Sequence, residues 1–232
     1  MKKVFSNIAA VLAGLFIVIS IFGEVLSFCC LDEEFFISEY EKMDTAEQMG
    51  MSHEELMAST NVLLDYLKDK RDDIKIEVTV NGEKVQMFDE RETLHMVDVK
   101  ALYQKAILVT RILGLLGIAI MAAFLIKRDR AKRHRALRNY HVGNAVFLGI
   151  IAILGIYAII DFSNFWTNFH LLFFDNDLWL LYPDERLIQM VPQQFFSDLV
   201  ARIVGIFVVF MGVPAAVCAF FRWDTRDKEK DD

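Results

Sequence analysis

Hydrophobic residues concentrate in four long runs along the 232-residue chain. The runs are Val4 to Phe28, Ile107 to Ile126, Val142 to Ile160, and Leu199 to Phe221. Each has about 20 residues, enough for an α-helix to cross a hydrocarbon core about 30 Å thick. Hydrophobic residues make up 55% of the chain, above the usual share in a soluble domain. The pattern predicts a mainly α-helical polytopic membrane protein with a bundle of four transmembrane helices.

The polar segment between the first two runs predicts a small α/β cap. Ser52 and Glu55 have the spacing of a helix capping box and precede leucines at helical spacing. Apolar and polar residues then alternate from Ile74 to Val80, as in a half-buried strand. Asn81-Gly82 is a favoured pair for a two-residue hairpin turn, and Lys84 to Phe88 supplies the returning strand. We therefore expect one β-hairpin packed against a capped helix.

A second polar segment, Asn164 to Phe196, has a different character. It is too aromatic for a solvated loop and too interrupted by charge and proline for a membrane-spanning helix. Proline breaks helices, so Pro183 and Pro192 should divide it into short pieces. The composition predicts an aromatic loop in the membrane interface, after which Ser197 or Asp198 caps the fourth span.

These patterns divide the chain into eight segments. They are transmembrane helix 1 (1–28), an extracytoplasmic cap (29–105), transmembrane helix 2 (106–127), a basic cytoplasmic loop (128–141), transmembrane helix 3 (142–161), an extracytoplasmic interfacial loop (162–198), transmembrane helix 4 (199–221) and a cytoplasmic tail (222–232).

Charge predicts the orientation of these segments. Lys127 to His141 carries seven basic residues against one acid, which favours a cytoplasmic position under the positive-inside rule. Both termini then lie inside, and residues 29–105, with 19 acids and nine basic residues, lie outside. The net charge of −7 is a sum over two compartments and identifies no partner. We expect no nucleic-acid binding, because the basic segment is short and topogenic.

Four charged residues stand within or at the ends of the predicted spans: Glu24, Arg111, Asp161 and Arg202. A charge in a span is costly, about 2.5–3.5 kcal/mol near the centre on insertion scales, and usually faces protein or a water-filled cavity. All four are predicted in the outer third of the bilayer. They form either a polar pocket open to the outer leaflet or ion pairs that hold the bundle together.

Two of the five histidines, His95 and His170, are predicted at the outer interface near these charges. His95 and Asp98 are three residues apart, so on a helix they share a face and the carboxylate could orient the imidazole. Tyr103 follows on the same helix. The three cysteines have neither the spacing of a disulfide framework nor that of a metal site, and we expect no metal and no cofactor.

The neighbourhoods of the two histidines resemble a known family. Glu92-x-x-His95-Met96-x-Asp98-Val99 and Phe169-His170-x-x-Phe173-Phe174 are similar to the lipoprotein intramolecular transacylases of Gram-positive bacteria. The resemblance continues through Trp179, Pro183, Leu187-Ile188, Pro192 and Phe195-Phe196, and it covers essentially the whole chain.

The resemblance implies an acyltransferase of the bacterial cytoplasmic membrane whose active site faces the outer leaflet. It would move the sn-2 acyl chain of a diacylglyceryl lipoprotein to the α-amino group of the N-terminal cysteine, giving a lyso-form lipoprotein. The expected partners are the lipoprotein substrate and membrane lipid, and the protein is expected to be a monomer.

This reaction suits the two histidines. The α-amine, with a pKa of about 7.7–8.0, must lose a proton before it attacks an ester, and an imidazole of pKa about 6.5 can accept it. One hypothesis makes His95, oriented by Asp98, the base and His170 the acid or oxyanion donor. The reverse assignment and an acyl-histidine relay both stay open.

The remaining candidate residues support this pair. Arg111 or Arg202 would anchor a lipid carbonyl or stabilise charge, with Glu24, Asp161 and Tyr103 completing the polar surroundings. The residues expected to hold the acyl chains are Phe169, Phe173, Phe174 and Trp179.

Two other functions fit parts of the pattern. His95, His170 and Asp98 could form a two-histidine, one-carboxylate metal site in a membrane hydrolase. The acidic cap would also suit a non-enzymatic four-span sensor or assembly protein that binds a partner.

Overall fold

A computed structural model describes residues 2–126 and 129–228, with the backbone alone at residues 2, 130 and 212–228. The elements in chain order are α1 (Lys2–Cys30), α2 (Glu33–Lys42), α3 (Thr45–Gln48), α4 (His53–Leu67), β1 (Glu77–Val80), β2 (Glu83–Gln86), α5 (Glu90–Leu125), α6 (Arg130–Ile160), α7 (Phe162–Phe173), α8 (Arg186–Met190) and α9 (Gln193–Lys228). The residues outside the described part of the chain include Lys127, the last of the predicted transmembrane helix 2, Arg128, the first of the predicted basic loop, and residues 229–232 of the predicted tail.

Four helices, α1, α5, α6 and α9, are long and apolar enough to cross a membrane. Among the described residues the only sheet is the antiparallel pair β1–β2. The predicted fold class, a four-helix membrane bundle with one hairpin in a small α/β cap, is confirmed.

Small residues bring the bundle helices together around α1. Gly14 on α1 lies against the Tyr140 carbonyl of α6, and Gly143 on α6 lies against the backbone of Val11 and Leu15. On the opposite side Gly117 of α5 lies against α1. Because helices in lipid associate mainly through close packing, small residues at these crossings make α1 the centre of the bundle.

The cap forms as its sequence predicts. Ser52 is the N-cap of α4, and its hydroxyl accepts a hydrogen bond from the Glu55 amide at 3.2 Å. Val80 pairs with Glu83 across the hairpin turn, where Asn81 and Gly82 have positive φ angles of 53° and 86°. These angles are what a type I′ turn requires.

The cap is a folded unit because its helix and hairpin share buried residues and hydrogen bonds. Glu55 Oε1 accepts the Thr79 amide at 2.8 Å, and the Gly50 carbonyl accepts the Asn81 amide at 2.8 Å. The buried side chains between them include Leu56, Leu64, Ile74, Val78 and Met87. This contact supplies the partner that an isolated hairpin lacks.

Several helices extend beyond the apolar runs. The predicted basic loop is helical from Arg130, with the Asp129 carboxylate capping the Lys132 amide at 3.1 Å, because its arginines, lysines and alanines are good helix formers. The prediction that Ser197 or Asp198 caps the fourth span was wrong. Helix α9 instead begins at Gln193. Pro192 lies directly before it, and proline is tolerated at the start of a helix, where its missing N–H is not needed.

The aromatic segment contains an amphipathic helix rather than only short pieces. Helix α7 begins at Phe162, after Asp161 has capped it by accepting the Asn164 amide at 3.0 Å. Irregular backbone then runs from Phe174 to Glu185 and leads into α8. This arrangement places His170 in the last turn of α7, next to the irregular backbone.

We predict that Gly143→Ala destabilises the bundle, because an added Cβ would overlap the backbone of Val11 and Leu15 on α1. Overpacking of this kind costs about 1–3 kcal/mol. The measurement is thermal unfolding of the purified protein in detergent. Gly149→Ala is the matched control, since it lies on the same helix with open space around it. Equal melting temperatures for the two variants would contradict the packing described here.

Candidate active site

His95 lies in the second turn of α5, ahead of the apolar part of that helix. The helix begins with a capping box, in which Asp89 accepts the Glu92 amide at 2.8 Å and Glu92 accepts the Asp89 amide at 2.7 Å. Both groups of the box are satisfied, so the start of α5 is fixed. The His95 side chain is buried, with 8% of the residue exposed, and its imidazole has no hydrogen-bond partner among the described residues.

His170 reaches the same place from α7. Its Nδ1 lies 2.7 Å from the Trp166 carbonyl oxygen, one helical turn earlier. A carbonyl can only accept, so Nδ1 carries the hydrogen and, in the neutral ring, Nε2 carries the lone pair. The bond fixes both the tautomer and the orientation of the ring.

The two imidazoles lie side by side within an aromatic shell. Their ring centroids are 6.3 Å apart, and Phe174 packs against both rings at 5.5 and 5.6 Å. Trp179 stacks on His170 at 4.7 Å, and Trp166 meets it edge-on at 4.8 Å. The structure thus brings together residues 75 positions apart in the chain.

This burial keeps both imidazoles uncharged. Desolvation lowers the pKa of His95 to about 4, helped by the nearby His170 and opposed by the charge of Asp98. Desolvation also lowers the pKa of His170, against the opposing effect of its bond to Trp166. Two neutral imidazoles at neutral pH supply proton acceptors and hydrogen-bond donors without adding charge to a dry site.

Asp98 does not orient His95 in the way its spacing predicts. Its Oδ2 instead accepts a hydrogen bond from Asn176 Nδ2 at 2.8 Å. Asn176 also accepts the Leu178 amide at 3.0 Å through Oδ1. Asp98 therefore fastens the segment after α7 to α5, and it acts on His95 through charge alone.

Glu92 provides a second link between α5 and the distal segment. Its Oε1 accepts a hydrogen bond from the Leu187 amide at the start of α8, while Oε2 accepts the Asp89 amide. Only 1% of Glu92 is exposed. A carboxylate this deeply buried persists only when its oxygens are satisfied, and here two backbone amides satisfy them.

The other predicted charges lie outside the histidine cluster. Glu24 and Arg111 form a bidentate pair between α1 and α5, at 2.7 and 3.2 Å. Arg202 pairs with Asp32 rather than with Asp161 and packs over Phe35. Such pairs fit the ion-pair interpretation better than a single polar pocket.

Tyr103 and Asp161 also serve contacts between elements. The Tyr103 hydroxyl lies 2.7 Å from the Ser27 hydroxyl on α1, and Asp161 caps α7. Neither is joined to the imidazoles by a hydrogen bond. Their placement supports the helices that carry the histidines.

The predicted lipid-contacting aromatics fall into two groups. Phe174 and Trp179 contact the imidazoles, and Phe169 packs edge-on against His170 at 5.5 Å. Phe173 packs on Phe169 but is 49% exposed. The first group forms the walls of the site, whereas Phe173 faces outward.

A comparison with protein-family models decides the class of protein. The model for the lipoprotein intramolecular transacylase Lit matches residues 11–196, which include both histidines. The chain belongs to the Lit family. It is therefore an acyltransferase that modifies lipoproteins, and neither the hydrolase nor the non-enzymatic alternative describes its family.

Solved structures show the same fold. The Bacillus cereus Lit transacylase, determined in meso, superposes with a TM-score of 0.74 and 19% identity, covering 98% of this chain and 99% of that one. Another structure of the B. cereus protein, which carries a histidine-to-alanine substitution, has a TM-score of 0.71 at the same identity, covering 98% and 97%. The curated protein sequences give no match. The B. cereus protein is an integral membrane protein, which agrees with the multi-pass membrane assignment of this Lit-family chain.

Several residues of the site were not among the sequence predictions. The Trp166 carbonyl could not be assigned as a partner because a backbone group leaves no trace in the sequence. Glu92 and Asn176 were also missed as links to the distal segment. For Glu92 the sequence did contain an indication of a structural role, because Asp89 and Glu92 have the spacing of a helix capping box.

We predict that His95 and His170 are both neutral at pH 7, because burial lowers both pKa values and protonation then needs a more acidic solution. Nitrogen-15 spectra of labelled histidine should show His170 as the Nδ1–H tautomer at pH 7. The His170→Gln variant assigns its resonances. A His170 ring protonated on Nε2 at pH 7 would contradict the bond to Trp166.

We predict that Glu92→Gln lowers the free energy of unfolding by about 1–3 kcal/mol, the usual cost of leaving a buried hydrogen-bonding group unsatisfied. Glutamine offers one carbonyl and one NH₂, so one of the two backbone amides would face a donor. Urea unfolding in detergent measures the difference. Glu90→Gln, at an exposed position two residues earlier, is the control and should change stability much less.

Proposed function

We propose that this transacylase moves the sn-2 acyl chain of a diacylglyceryl lipoprotein to the α-amino group of the N-terminal cysteine. The product is an N-acyl, S-monoacylglyceryl lipoprotein. Membership of the Lit family supports the acyl transfer, and two neutral imidazoles in contact with the same Phe174 ring support chemistry that needs proton transfer without a net charge.

The observation that carries the mechanism is the bond between His170 Nδ1 and the Trp166 carbonyl. It leaves the lone pair on Nε2, and a hydrogen bond donated from the opposite nitrogen increases the basicity of a histidine. We therefore assign His170 as the general base, which is the reverse of the first hypothesis considered from the sequence.

His95 then serves as the hydrogen-bond donor to the oxyanion. Burial keeps its ring neutral, so one nitrogen carries a hydrogen, and that ring has no protein hydrogen-bond partner in the described part of the chain. A fixed donor in a dry site stabilises the charge that develops on the ester oxygen. No hydrogen bond joins the two described imidazoles, so both remain available to the substrate.

The proposed reaction balances with these two groups. The neutral amine nitrogen attacks the ester carbonyl carbon, forms the new C–N bond, and passes one of its two protons to His170 Nε2. His95 holds the resulting oxyanion. As the intermediate collapses, the bond between carbon and the glycerol oxygen breaks, and the His170 imidazolium returns the proton to that oxygen. No external acyl donor takes part.

The same proposal includes the position of the site. We infer that both termini and the basic start of α6 are cytoplasmic and that the imidazoles work at the outer leaflet. The seven basic residues between Lys127 and His141 support this orientation. One chain carries both histidines, so a monomer contains a complete catalytic pair.

We predict that His170→Ala and His95→Ala each reduce acyl transfer by about 10²–10⁴-fold, the usual contribution of such groups. The proteins are expressed in a bacterium whose own lipoproteins keep a free amine, and lipoprotein N-termini are analysed by mass spectrometry. His53→Ala, at an exposed position on α4, is the control. Lyso-form lipoproteins in normal yield from either site variant would refute the paired mechanism.

The dependence of rate on pH separates the two roles. Neutral amine is needed in every variant, so without His170 only the amine titrates and the logarithm of the His170→Ala rate should fall with a slope of about 1 per pH unit as the solution is acidified. His95→Ala retains the base, so its slope should steepen to about 2 once the pH falls below the pKa of His170. The opposite pattern would assign His95 as the base. Purified enzyme and a synthetic diacylglyceryl lipopeptide are used for this assay.

A further inference from the structure

Arg91 connects the helix of His95 to the segment that covers His170. Its Nη2 donates hydrogen bonds to the carbonyl oxygens of Asp177, at 2.5 Å, and Leu180, at 3.0 Å. These two carbonyls stand on either side of Trp179. Arg91 therefore holds both ends of the short turn that presents the Trp179 indole.

The turn is attached to α5 by these hydrogen bonds. Within it, the Leu180 amide donates to the Asp177 carbonyl at 3.1 Å, and the Leu181 amide donates to the Trp179 carbonyl at 3.0 Å. These local bonds fold the turn. Trp179 stacks on His170 of α7, and the hydrogen bonds to α5 come from Arg91, which contacts both ends of the turn.

The guanidinium is itself held in a defined geometry. It lies over the Tyr182 ring at 5.2 Å, and its Nε is 4.0 Å from Glu185 Oε1. Arginine offers a planar, rigid fork that can stack on a ring and donate in its own plane at the same time. The ammonium of lysine cannot reproduce this combination.

Arg91 precedes His95 by four residues, so the two side chains share a face of α5. Contacts thus run from Arg91 to the turn at 177–180 and through Trp179 to His170, and Arg91 stands one helical turn before His95.

We propose that Arg91 is a positioning residue that sets the placement of His170 relative to His95 by holding Trp179 against the His170 ring. The inference rests on the proposed roles of the two histidines and adds a residue that touches neither reacting atom. A displacement of about 1 Å at a catalytic group can cost 10²-fold in rate, which is the scale of effect expected here.

The test compares Arg91→Lys with Arg71→Lys. Arg71 is a matched control in the cap, because it also donates to two backbone carbonyls, those of Asp73 and Lys75. The purified variants are assayed with a synthetic diacylglyceryl lipopeptide. Arg91→Lys should lower kcat by about 10–100-fold with little change in KM, whereas Arg71→Lys should leave both unchanged.

A second readout distinguishes positioning from a general loss of stability. If Trp179 leaves the His170 ring in Arg91→Lys, water reaches the imidazole and its pKa should rise toward the ordinary value, as measured by NMR titration. Millimolar guanidinium should partly restore activity to Arg91→Gly. Tyr182→Leu, which removes the ring beneath the guanidinium, should show a smaller loss of kcat and keeps the idea testable if the Arg91 variants do not fold.

Two results would overturn the proposal. One is an Arg91→Lys enzyme as active as Arg71→Lys. The other is a loss of activity that follows melting temperature alone, with the His170 pKa unchanged and no recovery with guanidinium. Inactive His95→Ala and His170→Ala beside a fully active Arg91→Lys would reject this inference while leaving the histidine mechanism intact. Active histidine variants would reject the mechanism itself.

Discussion

Side-chain hydrogen bonds from α5 hold the segment between α7 and α9, and the rest of the site depends on these contacts. Peptide groups outside helices and strands have no regular backbone partners, so side-chain hydrogen bonds decide where such a segment lies. The first turns of α5 supply them through Arg91, Glu92 and Asp98. Since His95 stands on those same turns, the contacts that order the segment also join the two histidines.

This arrangement explains why a dry, aromatic site can hold two titratable rings. Aromatic side chains exclude water from the imidazoles, which favours their neutral forms. The buried Glu92 carboxyl nearby is satisfied by two backbone amides. The proposed base and the proposed donor are then both uncharged and lie side by side, an arrangement that suits acyl transfer to an amine.

The bundle and the site have separate kinds of support. Close contact between small residues brings α1 against α5 and α6, and the Glu24–Arg111 and Asp32–Arg202 pairs tie α1 and the chain that follows it to α5 and α9. From the sequence, Glu24, Arg111 and Arg202 are candidate site residues, because a charged side chain in a membrane span is costly and usually has a function or a partner. The structure gives them partners in ion pairs between elements, and the catalytic roles are proposed for the two histidines instead.

The sequence by itself determined the elements whose causes are local. The four spans follow from the length of apolar runs, α4 from the Ser52–Glu55 cap, and the hairpin from Asn81-Gly82, since each depends on residues a few positions apart. Helix ends were harder to place. Helices α5 and α6 extend beyond the apolar runs into polar sequence, where good helix formers and capping residues continue them. A hydropathy pattern does not detect these residues.

Only the tertiary structure decided which side chains become partners across long distances in the chain. The spacing of His95 and Asp98 suggested that these two side chains interact. In the folded chain Asp98 accepts a hydrogen bond from Asn176 instead, because α7 is followed by a segment that packs against α5. In the same way, Asp161 caps α7, and Arg202 forms an ion pair with Asp32. The His170 tautomer was set by a backbone carbonyl, and the placement of Trp179 by the fork of Arg91, because hydrogen bonds depend on positions in space that sequence spacing specifies only within a single turn.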